Sequence, residues 1–258
     1  MSKLKVDINC DLGEGYGAYR IGNDKEMMRC ITSANIACGF HAGDPTMMAE
    51  TIHLAKKHKV AVGAHPSFPD LMGFGRRDMQ LAAEETKDYM IYQIGALQGF
   101  AKTVGLSLQH VKPHGALYNM AAKEETTSKA IVTATKALDS NLIVFAPPRS
   151  VLADVAKKAG FRVAYEFFAD RAYNQDGSLV SRKQANSVIH ETQKVVERTV
   201  KAITEGMVTA YSGESLKTGD IHTVCVHGDT PNATALAKAL RKGLDKANIK
   251  VMPASKFL

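Results

Sequence analysis

Long apolar runs are missing from this sequence. No window approaches the roughly 18 uninterrupted apolar residues that a membrane-spanning helix needs. The amino terminus leads from Met1-Ser2-Lys3 directly into a strand-like segment, without the pattern of a signal peptide. These absences predict a cytoplasmic protein that is neither exported nor inserted into a membrane.

Paired cysteines and several well-known motifs are missing too. The four cysteines include no CxxC pair, and three of them lie in apolar runs, where a thiol behaves as a small buried hydrophobe. Disulfide bonds and a cysteine-bound zinc ion are therefore not expected. The sequence has no GxxxxGKS/T motif, so it carries no Walker-type ATP site. The HExxH motif of zinc proteases and the GxSxG motif of serine hydrolases are also missing.

One glycine-rich segment, residues 13–18, formally fits the GxGxxA fingerprint of dinucleotide-binding folds. Glu14 would place a carboxylate among the amides that bind phosphate in such folds. The next strand candidate leads into His41, where those folds have an acidic ribose ligand. We therefore reject a dinucleotide site.

Basic residues outnumber acidic ones, 33 against 26, which gives a formal net charge of +7. The lysines and arginines are scattered over helix-like segments such as residues 56–59 and 241–242, as on a solvated helix face. This distribution argues against nucleic-acid binding. The charge favours an anionic small-molecule substrate or an acidic partner surface.

Short apolar runs alternate along the chain with longer stretches of helical periodicity, which is typical of a parallel sheet wrapped by helices. Seven runs are predicted as strands: residues 6–12, 34–38, 60–65, 108–113, 142–146, 162–167 and 221–227. No linker or low-complexity tract divides the 258 residues. We expect one α/β domain, a (β/α) barrel over residues 1–258.

Helices and loops are predicted between these strands. Residues 90–104 and 185–203 each keep apolar side chains at the spacing of one helical face. Residues 66–78 and 169–181 follow strands and lack such periodicity, so we predict long loops over the barrel mouth. Candidate helix starts, each with a capping oxygen, are Asp44-Pro45, Thr230-Pro231, Ser150 and Ser181.

Ionisable side chains collect at one end of the predicted strands. Alternate residues of a strand share a face, so Asn9 and Asp11 point together, as do Lys112 and His114. In barrels of this type the active site lies at the carboxyl ends of the strands. The residues at those ends are Asp11, Glu14, His41, Asp44, His65, Lys112, His114, Glu166, Asp170, Arg171, His227 and Asp229. We expect them to converge on one catalytic pocket.

Structural interpretations stay open for several of these residues. Asp44 and Asp229 also suit helix capping. Lys112 and Glu166 also suit a buried ion pair that orders the barrel interior, although such a pair gains little stability and is costly to break, which favours function. A single histidine is most often a satisfied core residue. Histidines at four strand ends favour a site.

Six segments together resemble the LamB/YcsF family. They are NCDLGE (9–14), ANIACGFHAGD (34–44), GAHP (63–66), VKPHGALY (111–118), FADRAY (168–173) and CVHGDTP (225–231). The resemblance covers nearly the whole chain, with the motifs in the family's order. It implies a (β/α)7 barrel of the glycoside hydrolase/deacetylase type, in agreement with the seven strand candidates.

The resemblance also implies a reaction and partners. The reaction is the ATP-dependent cleavage of 5-oxo-L-proline to L-glutamate, with ADP and phosphate as further products. Subunits B and C of such a 5-oxoprolinase are the implied partners, and ATP is the implied co-substrate. The place where ATP binds and any self-association of the chain are left open.

Roles follow from this reaction as a hypothesis. Lys112 and Arg171 hold anionic oxygens of the substrate or of the transferred phosphate. Asp11, with Glu14 or Glu166, is the general base, and His65, His114 or His227 carries protons. The residues expected to bind the substrate are Asn9, Asn35, His41, Arg171 and Asp229.

Two other functions are consistent with the same residues. The first is a metal-dependent deacetylase or amidohydrolase acting on a small N-acyl or carbohydrate substrate. Its divalent metal would lie on Asp11, His41 and His65, although spacing alone does not establish a site drawn from three strands. The second is a non-catalytic binding subunit, for which conservative changes in these residues leave turnover intact.

Overall fold

Strand β1 (Lys5–Leu12) has a parallel neighbour on each side. One is β2 (Ser33–Ala37), and the other is β9 (Thr223–Cys225). The strands between these neighbours, each parallel to the next, are β3 (Ala61–His65), β4 (Leu108–Val111), β5 (Ile143–Ala146) and β6 (Arg162–Phe168). The computed structural model, which describes residues 4–228 and 232–258, thus contains a closed barrel of seven parallel strands. This confirms the predicted (β/α)7 barrel.

Helices pack around the barrel against the outer faces of the strands. They are α1 (Asp24–Met27), α2 (Pro45–His58), α3 (Ala83–Thr103), α4 (Gly115–Ala121), α5 (Glu125–Leu138), α6 (Val151–Lys158), α7 (Thr192–Glu205) and α8 (Ala233–Lys246), with a 3-10 turn at Ala254–Lys256. Within the described residues, none of these helices has the length and apolar composition needed to cross a membrane.

The alternation of β1 separates an apolar layer from a polar barrel interior. Four residues of β1 belong to the hydrophobic core beneath the helices: Val6, Ile8, Cys10 and Leu12. Asp7 and Asn9 are equally buried, but both bond to the Thr223 hydroxyl of β9. The interior of the barrel is therefore lined by hydrogen-bonding side chains, and this lining leads towards the carboxyl ends of the strands.

Two predicted helix starts are confirmed. Asp44 caps α2, where its carboxylate accepts from the backbone N–H of Thr46 at 2.8 Å and Met47 at 2.9 Å. Ser150 caps α6 by accepting from the backbone N–H of Ala153 at 3.2 Å. The start predicted at Thr230-Pro231 lies outside the described residues.

The helix predicted over residues 185–203 was placed too early, and the start predicted at Ser181 was wrong. Helix α7 begins at Thr192, and residues 169–191 form one loop. Within this loop Val188 pairs with Arg171 as an isolated bridge, and the Ile189 N–H donates to the Asp170 carbonyl at 2.8 Å. These backbone bonds use groups that a helix would pair internally, so local apolar spacing was misleading here.

Three short strands were not predicted. An antiparallel hairpin joins β7 (Met207–Thr209) to β8 (Ser215–Lys217), and β10 (Lys250–Val251) pairs with the start of β1. Strands of two or three residues are too short to show an alternating pattern. The barrel strands β4 and β9 are also shorter than predicted, so Lys112 and His227 lie just beyond their ends.

The loop after β3, residues 66–82, crosses the barrel mouth as predicted. Its Gly75 carbonyl accepts from the Ala116 N–H at 2.8 Å. A Cβ on Gly75 would lie 2.8 Å from His41 Cβ and 2.9 Å from His114 Cδ2, and the backbone there has a positive φ of 65°. Only glycine allows the loop to pass this close to the two histidines.

Candidate active site

Lys112 lies at the centre of a buried polar cluster just beyond β4. Its ammonium nitrogen is 2.9 Å from Asp11 Oδ1 and 3.0 Å from Glu166 Oε1. Asn9 Oδ1 and Cys225 Sγ are each 3.3 Å away. Burial alone lowers the pKa of Lys112, but the negative charge of its neighbours, Asp11 foremost, outweighs burial and raises the pKa well above its ordinary value. Lys112 is therefore a fixed cation.

Asp11 is the carboxylate of this cluster nearest the solvent, with its side chain 11% exposed. Its Oδ1 accepts from Lys112 and from Asn35 at 2.7 Å, and its Oδ2 lies 3.3 Å from His65 Nε2. Burial raises the pKa of Asp11, but His65 and Lys112 outweigh burial and hold the pKa well below its usual range. Such a weak base is better suited to orienting a water or substrate group than to removing a proton.

Glu166 lies deeper in the barrel and is buried. Its Oε1 accepts from Lys112 and from Asn9 Nδ2 at 2.9 Å, while its Oε2 accepts from the Tyr118 hydroxyl at 2.6 Å. Burial and the adjacent carboxylate raise the pKa of Tyr118 well above its ordinary value, so the hydroxyl stays a donor. The ion pair considered from the sequence exists, and it holds the lysine in place.

Asn9 and Asn35, expected to bind substrate, are engaged by barrel side chains. Asn35 Nδ2 donates to Asn9 Oδ1 and Asp11 Oδ1, both at 2.7 Å, and Asn35 Oδ1 accepts from His110 Nε2 at 2.7 Å. Burial lowers the pKa of His110 to about 3, so this ring is neutral. The two amides position Asp11 and Lys112 from below.

A second group, the histidine cluster, consists of Glu14, His41, His65 and His114. One potential ligand atom from each residue lies within 4.8 Å of the others. Glu14 Oε1 is 3.4 Å from His41 Nε2 and 3.7 Å from His114 Nδ1. All four residues are buried. Burial, with help from the neighbouring histidines, lowers the pKa of His41 and His114 well below the ordinary value.

Backbone carbonyls orient two of these rings. His65 Nδ1 donates to the Lys112 carbonyl at 2.7 Å, and His114 Nε2 donates to the Phe74 carbonyl at 2.9 Å. Because a carbonyl only accepts, these nitrogens carry the protons. The other nitrogens, His65 Nε2 and His114 Nδ1, lie 2.9 Å apart. Metal-binding histidines are typically oriented in this way through the ring nitrogen that faces away from the ion.

The donor set of the histidine cluster therefore fits a divalent metal, since three imidazoles and a carboxylate suit zinc and related ions. This group of four potential ligands differs from the set of Asp11, His41 and His65 that was considered from the sequence. His41 and His65 lie with Glu14 and His114, whereas Asp11 is grouped with Cys225 and His227.

His227 and Asp170 form a hydrogen-bonded pair beside Asp11. His227 Nδ1 donates to the Asp170 carboxylate, with distances of 2.8 and 3.0 Å to its two oxygens, and the ring stacks on Phe168. Burial raises the pKa of Asp170, but His227 outweighs burial and the net shift is downward. One ligand atom of His227 lies within 4.8 Å of one from Asp11. An imidazole held by a carboxylate in this way is suited to proton transfer.

Arg171, expected to hold anionic oxygens, instead binds its own loop. Its Nε donates to the Ser187 carbonyl at 3.3 Å, and a second guanidinium nitrogen donates to the Val180 carbonyl. Burial lowers the pKa of Arg171 to about 10. Arg171 thus ties together the loop that carries Asp170. Asp229, also expected to bind substrate, lies outside the described residues.

Sequence reasoning missed Asp7 and Tyr118. Asp7 is fully buried towards the amino-terminal end of the barrel, where it accepts from the hydroxyls of Thr32 at 2.6 Å, Ser33 at 2.7 Å and Thr223 at 2.6 Å. The alternation of β1 was the available signal for Asp7. Tyr118 lies one helical turn after His114, and that spacing was its signal.

Fold and site together define a class: a parallel (β/α)7 barrel whose ionisable residues converge at the carboxyl ends of the strands, where barrel enzymes have their active sites. A family model described as LamB/YcsF matches residues 6–258. The chain belongs to the LamB/YcsF family, and the resemblance of its six motifs is confirmed.

The relatives match over their full length. The chain is 49% identical over 255 residues to the A subunit of 5-oxoprolinase from Pyrococcus abyssi, covering 99% of this chain and 100% of the relative. The protein of the same name from Alkaliphilus metalliredigens is 50% identical over 254 residues, with 98% and 99% covered. A crystal structure of a lactam utilization protein from Thermus thermophilus has a TM-score of 0.91 and 45% identity, covering 96% and 99%.

Proposed function

We propose that this chain is the A subunit of an ATP-dependent 5-oxoprolinase, which opens the cyclic amide of 5-oxo-L-proline to give L-glutamate. The names of relatives at 49% and 50% identity support this role. So does the lactam utilization protein that shares the fold at 45% identity. The observation that carries the proposal is the buried Lys112–Asp11 pair, at 2.9 Å, beside the His227–Asp170 pair.

The chemistry explains the need for ATP, because a five-membered lactam is a poor electrophile. Its carbonyl oxygen attacks the γ-phosphorus of ATP, ADP leaves, and an imidate phosphate forms with loss of the N–H proton. Water then adds to the activated ring carbon. The ring C–N bond breaks as the nitrogen takes up protons, leaving γ-glutamyl phosphate. A second water cleaves this acyl phosphate, so one ATP and two waters give glutamate, ADP and phosphate.

Each charged group has a proposed part in this sequence. Lys112 stabilises the negative charge that develops on the substrate or phosphate oxygens, because a fixed cation in a buried site needs no reorganisation. Asp11 orients the attacking water. His227, held by Asp170, delivers the proton to the departing nitrogen. Glu166 positions Lys112 from below.

The histidine cluster borders the same space. His65 Nε2 lies 3.3 Å from Asp11 Oδ2, so the two groups share one wall of the site. Glu14, His65 and His114 are proposed to carry protons or to bind a cation there, and His41 packs flat against His114 with ring centroids 3.8 Å apart.

Subunits B and C are the proposed partners, because the relatives are named as the A subunit of their enzyme. ATP is the proposed co-substrate. The sequence has no Walker motif, so a partner or a different kind of site on this barrel supplies the nucleotide contacts. Since ATP is an intracellular metabolite, we place the reaction in the cytoplasm.

The test is an assay of glutamate and phosphate release from 5-oxo-L-proline, with this chain alone and with subunits B and C. Glutamate is expected only when ATP and the partners are present. Asp11→Asn is expected to lower turnover about 100-fold or more while the complex still assembles. The matched control is Asp88→Asn on the exposed face of α3, which should behave like wild type. Full turnover by Asp11→Asn would remove Asp11 from the mechanism and favour the binding-subunit alternative.

The histidine cluster favours a second candidate, a metal-dependent amidohydrolase or deacetylase. A divalent ion on Glu14, His41, His65 and His114 would polarise a carbonyl and lower the pKa of a bound water. This candidate predicts ATP-independent release of acetate from a small N-acetyl substrate, abolished by chelation. Strict dependence on ATP would reject it.

A further inference from the structure

We infer that Glu14, His41, His65 and His114 bind one divalent transition-metal ion, with Zn²⁺ as the best-matched ion. The inference concerns binding alone. It can be tested independently of the proposed cleavage of 5-oxo-L-proline, because its test measures bound metal and needs no turnover.

The first argument is the orientation of two rings. His65 Nε2 and His114 Nδ1 lie 2.9 Å apart, and the opposite nitrogen of each ring donates to a backbone carbonyl. In the neutral rings, two lone pairs therefore face each other in a buried place. This arrangement is unfavourable unless a proton lies on one of the nitrogens or a metal ion lies beside both, and Asp11 Oδ2, 3.3 Å from His65 Nε2, adds a negative charge that attracts such a cation. A metal ion satisfies both lone pairs at once.

The second argument concerns His41. Its Nδ1 is buried and has no hydrogen-bond partner among the described residues, while its Nε2 lies 3.4 Å from Glu14 Oε1. If Nδ1 carries the proton, a lone pair on Nε2 faces a carboxylate. If Nε2 carries it, Nδ1 is an acceptor without a donor. A cation shared by His41 Nε2 and Glu14 removes the repulsion in the first arrangement.

The third argument is the spacing of the donors. Zinc bonds to nitrogen and oxygen are roughly 2.0–2.2 Å long, so the donors of a tetrahedral site are about 3.3 Å apart. Three of the six donor separations here are 2.9, 3.4 and 3.7 Å, and one donor atom of each residue lies within 4.8 Å of those of the others. Because the rings of His41 and His114 are stacked in nearly parallel planes with centroids 3.8 Å apart, one of these two rings must rotate for both to bond the same ion.

The experiment measures metal on the purified full chain. The protein is stripped with a chelator, reloaded with Zn²⁺ or Co²⁺, and titrated against a chromophoric chelator. We expect one ion per chain, and visible absorption bands of nitrogen-coordinated Co²⁺. His114→Ala should weaken binding by about 100-fold, as expected for a lost ligand. The matched control, His53→Ala, removes an exposed histidine of α2 and should bind like wild type.

Two results would overturn the inference. One is a reloaded wild-type chain that holds no ion, which would mean that a proton alone bridges the facing rings. The other is wild-type affinity in His114→Ala, since a site on Asp11, His41 and His65 would not need His114. Should His114→Ala fail to fold, the melting temperature of wild type decides: Zn²⁺ should raise it above that of the stripped protein, and an unchanged value rejects the site.

Discussion

Gly63 on β3 lies directly beside the imidazole of His110 on β4, and a Cβ on residue 63 would be 2.2 Å from His110 Nε2. The same ring nitrogen donates to Asn35 Oδ1, and Asn35 Nδ2 donates in turn to Asp11. The missing side chain on β3 therefore leaves room for the hydrogen-bond chain that positions a site carboxylate.

Gly63→Ala should lower the free energy of unfolding by roughly 3 kcal/mol, because the methyl group displaces a buried ring and its hydrogen bond. Urea unfolding measures the change. Gly95→Ala in α3 is the control, since a Cβ there meets nothing within 4 Å. That variant should gain about 0.5–1 kcal/mol from helix propensity. Equal effects of the two variants would contradict the steric account.

Removing the lysine from its buried cluster should cost far more than removing its deeper partner. Lys112→Met leaves Asp11 and Glu166 without their common cation, which should destabilise the fold by about 3–5 kcal/mol. In Glu166→Gln, Lys112 keeps its contact with Asp11. The double variant should cost less than the sum of the single variants by about 1–3 kcal/mol. Additive unfolding free energies would show that the two charges are not coupled.

Asp170→Asn tests the proposed role of the His227–Asp170 pair. An asparagine amide can donate to Nδ1, which would move the His227 proton to the other ring nitrogen. We expect kcat of the assembled enzyme to fall about 100-fold with little change in KM. The ¹⁵N shifts of His227 should report the altered tautomer. Asp176→Asn, exposed in the same loop, is the control. A wild-type kcat in Asp170→Asn would remove the pair from proton transfer.

Asp7 should make stability depend on pH. Burial raises the pKa of Asp7 from 3.8 to about 6 in the folded chain. Between these values the folded chain holds a proton that the unfolded chain has lost, so stability falls as pH rises through this window. The contribution, about 3 kcal/mol, is fully present below pH 3.8 and lost above pH 6. Urea unfolding measures the free energy of unfolding of wild type minus that of Asp7→Asn. This difference should fall by about 2–2.5 kcal/mol between pH 4 and pH 7, because part of the contribution is already lost at pH 4. A pH-independent difference would contradict the raised pKa.

The barrel could be predicted because the sequence of a strand itself shows where the strand lies and at which end its ionisable side chains stand. Most of the barrel strands contain an apolar run, β4 being an exception, and the ionisable residues Asp11, His65 and Lys112 stand at the carboxyl ends of β1, β3 and β4. Parallel pairing then brings Asp11, His65 and Lys112 into contact, as expected from that common position. Strand periodicity was a sufficient signal for this much.

The contact partners of the individual site residues could not be predicted, because they depend on distances across the barrel. Arg171 and Asp170 are adjacent in sequence, yet one bonds to loop carbonyls and the other to His227. Glu14 lies among histidines that come from three later segments. The side chain of Asn35 is used by His110, which is 75 positions away. No local sequence pattern indicates these partners.

The alternation of β1 has a consequence for misfolding. A slip of one residue in its pairing would turn Asp7, Asn9 and Asp11 into the apolar layer beneath the helices, and it would bring Val6 and Ile8 to the barrel axis. Such a misregistered barrel would leave three polar groups buried without partners. The polar side chains of the site therefore also favour the correct register of β1. Chains that close in the wrong register should be too unstable to accumulate as inactive protein.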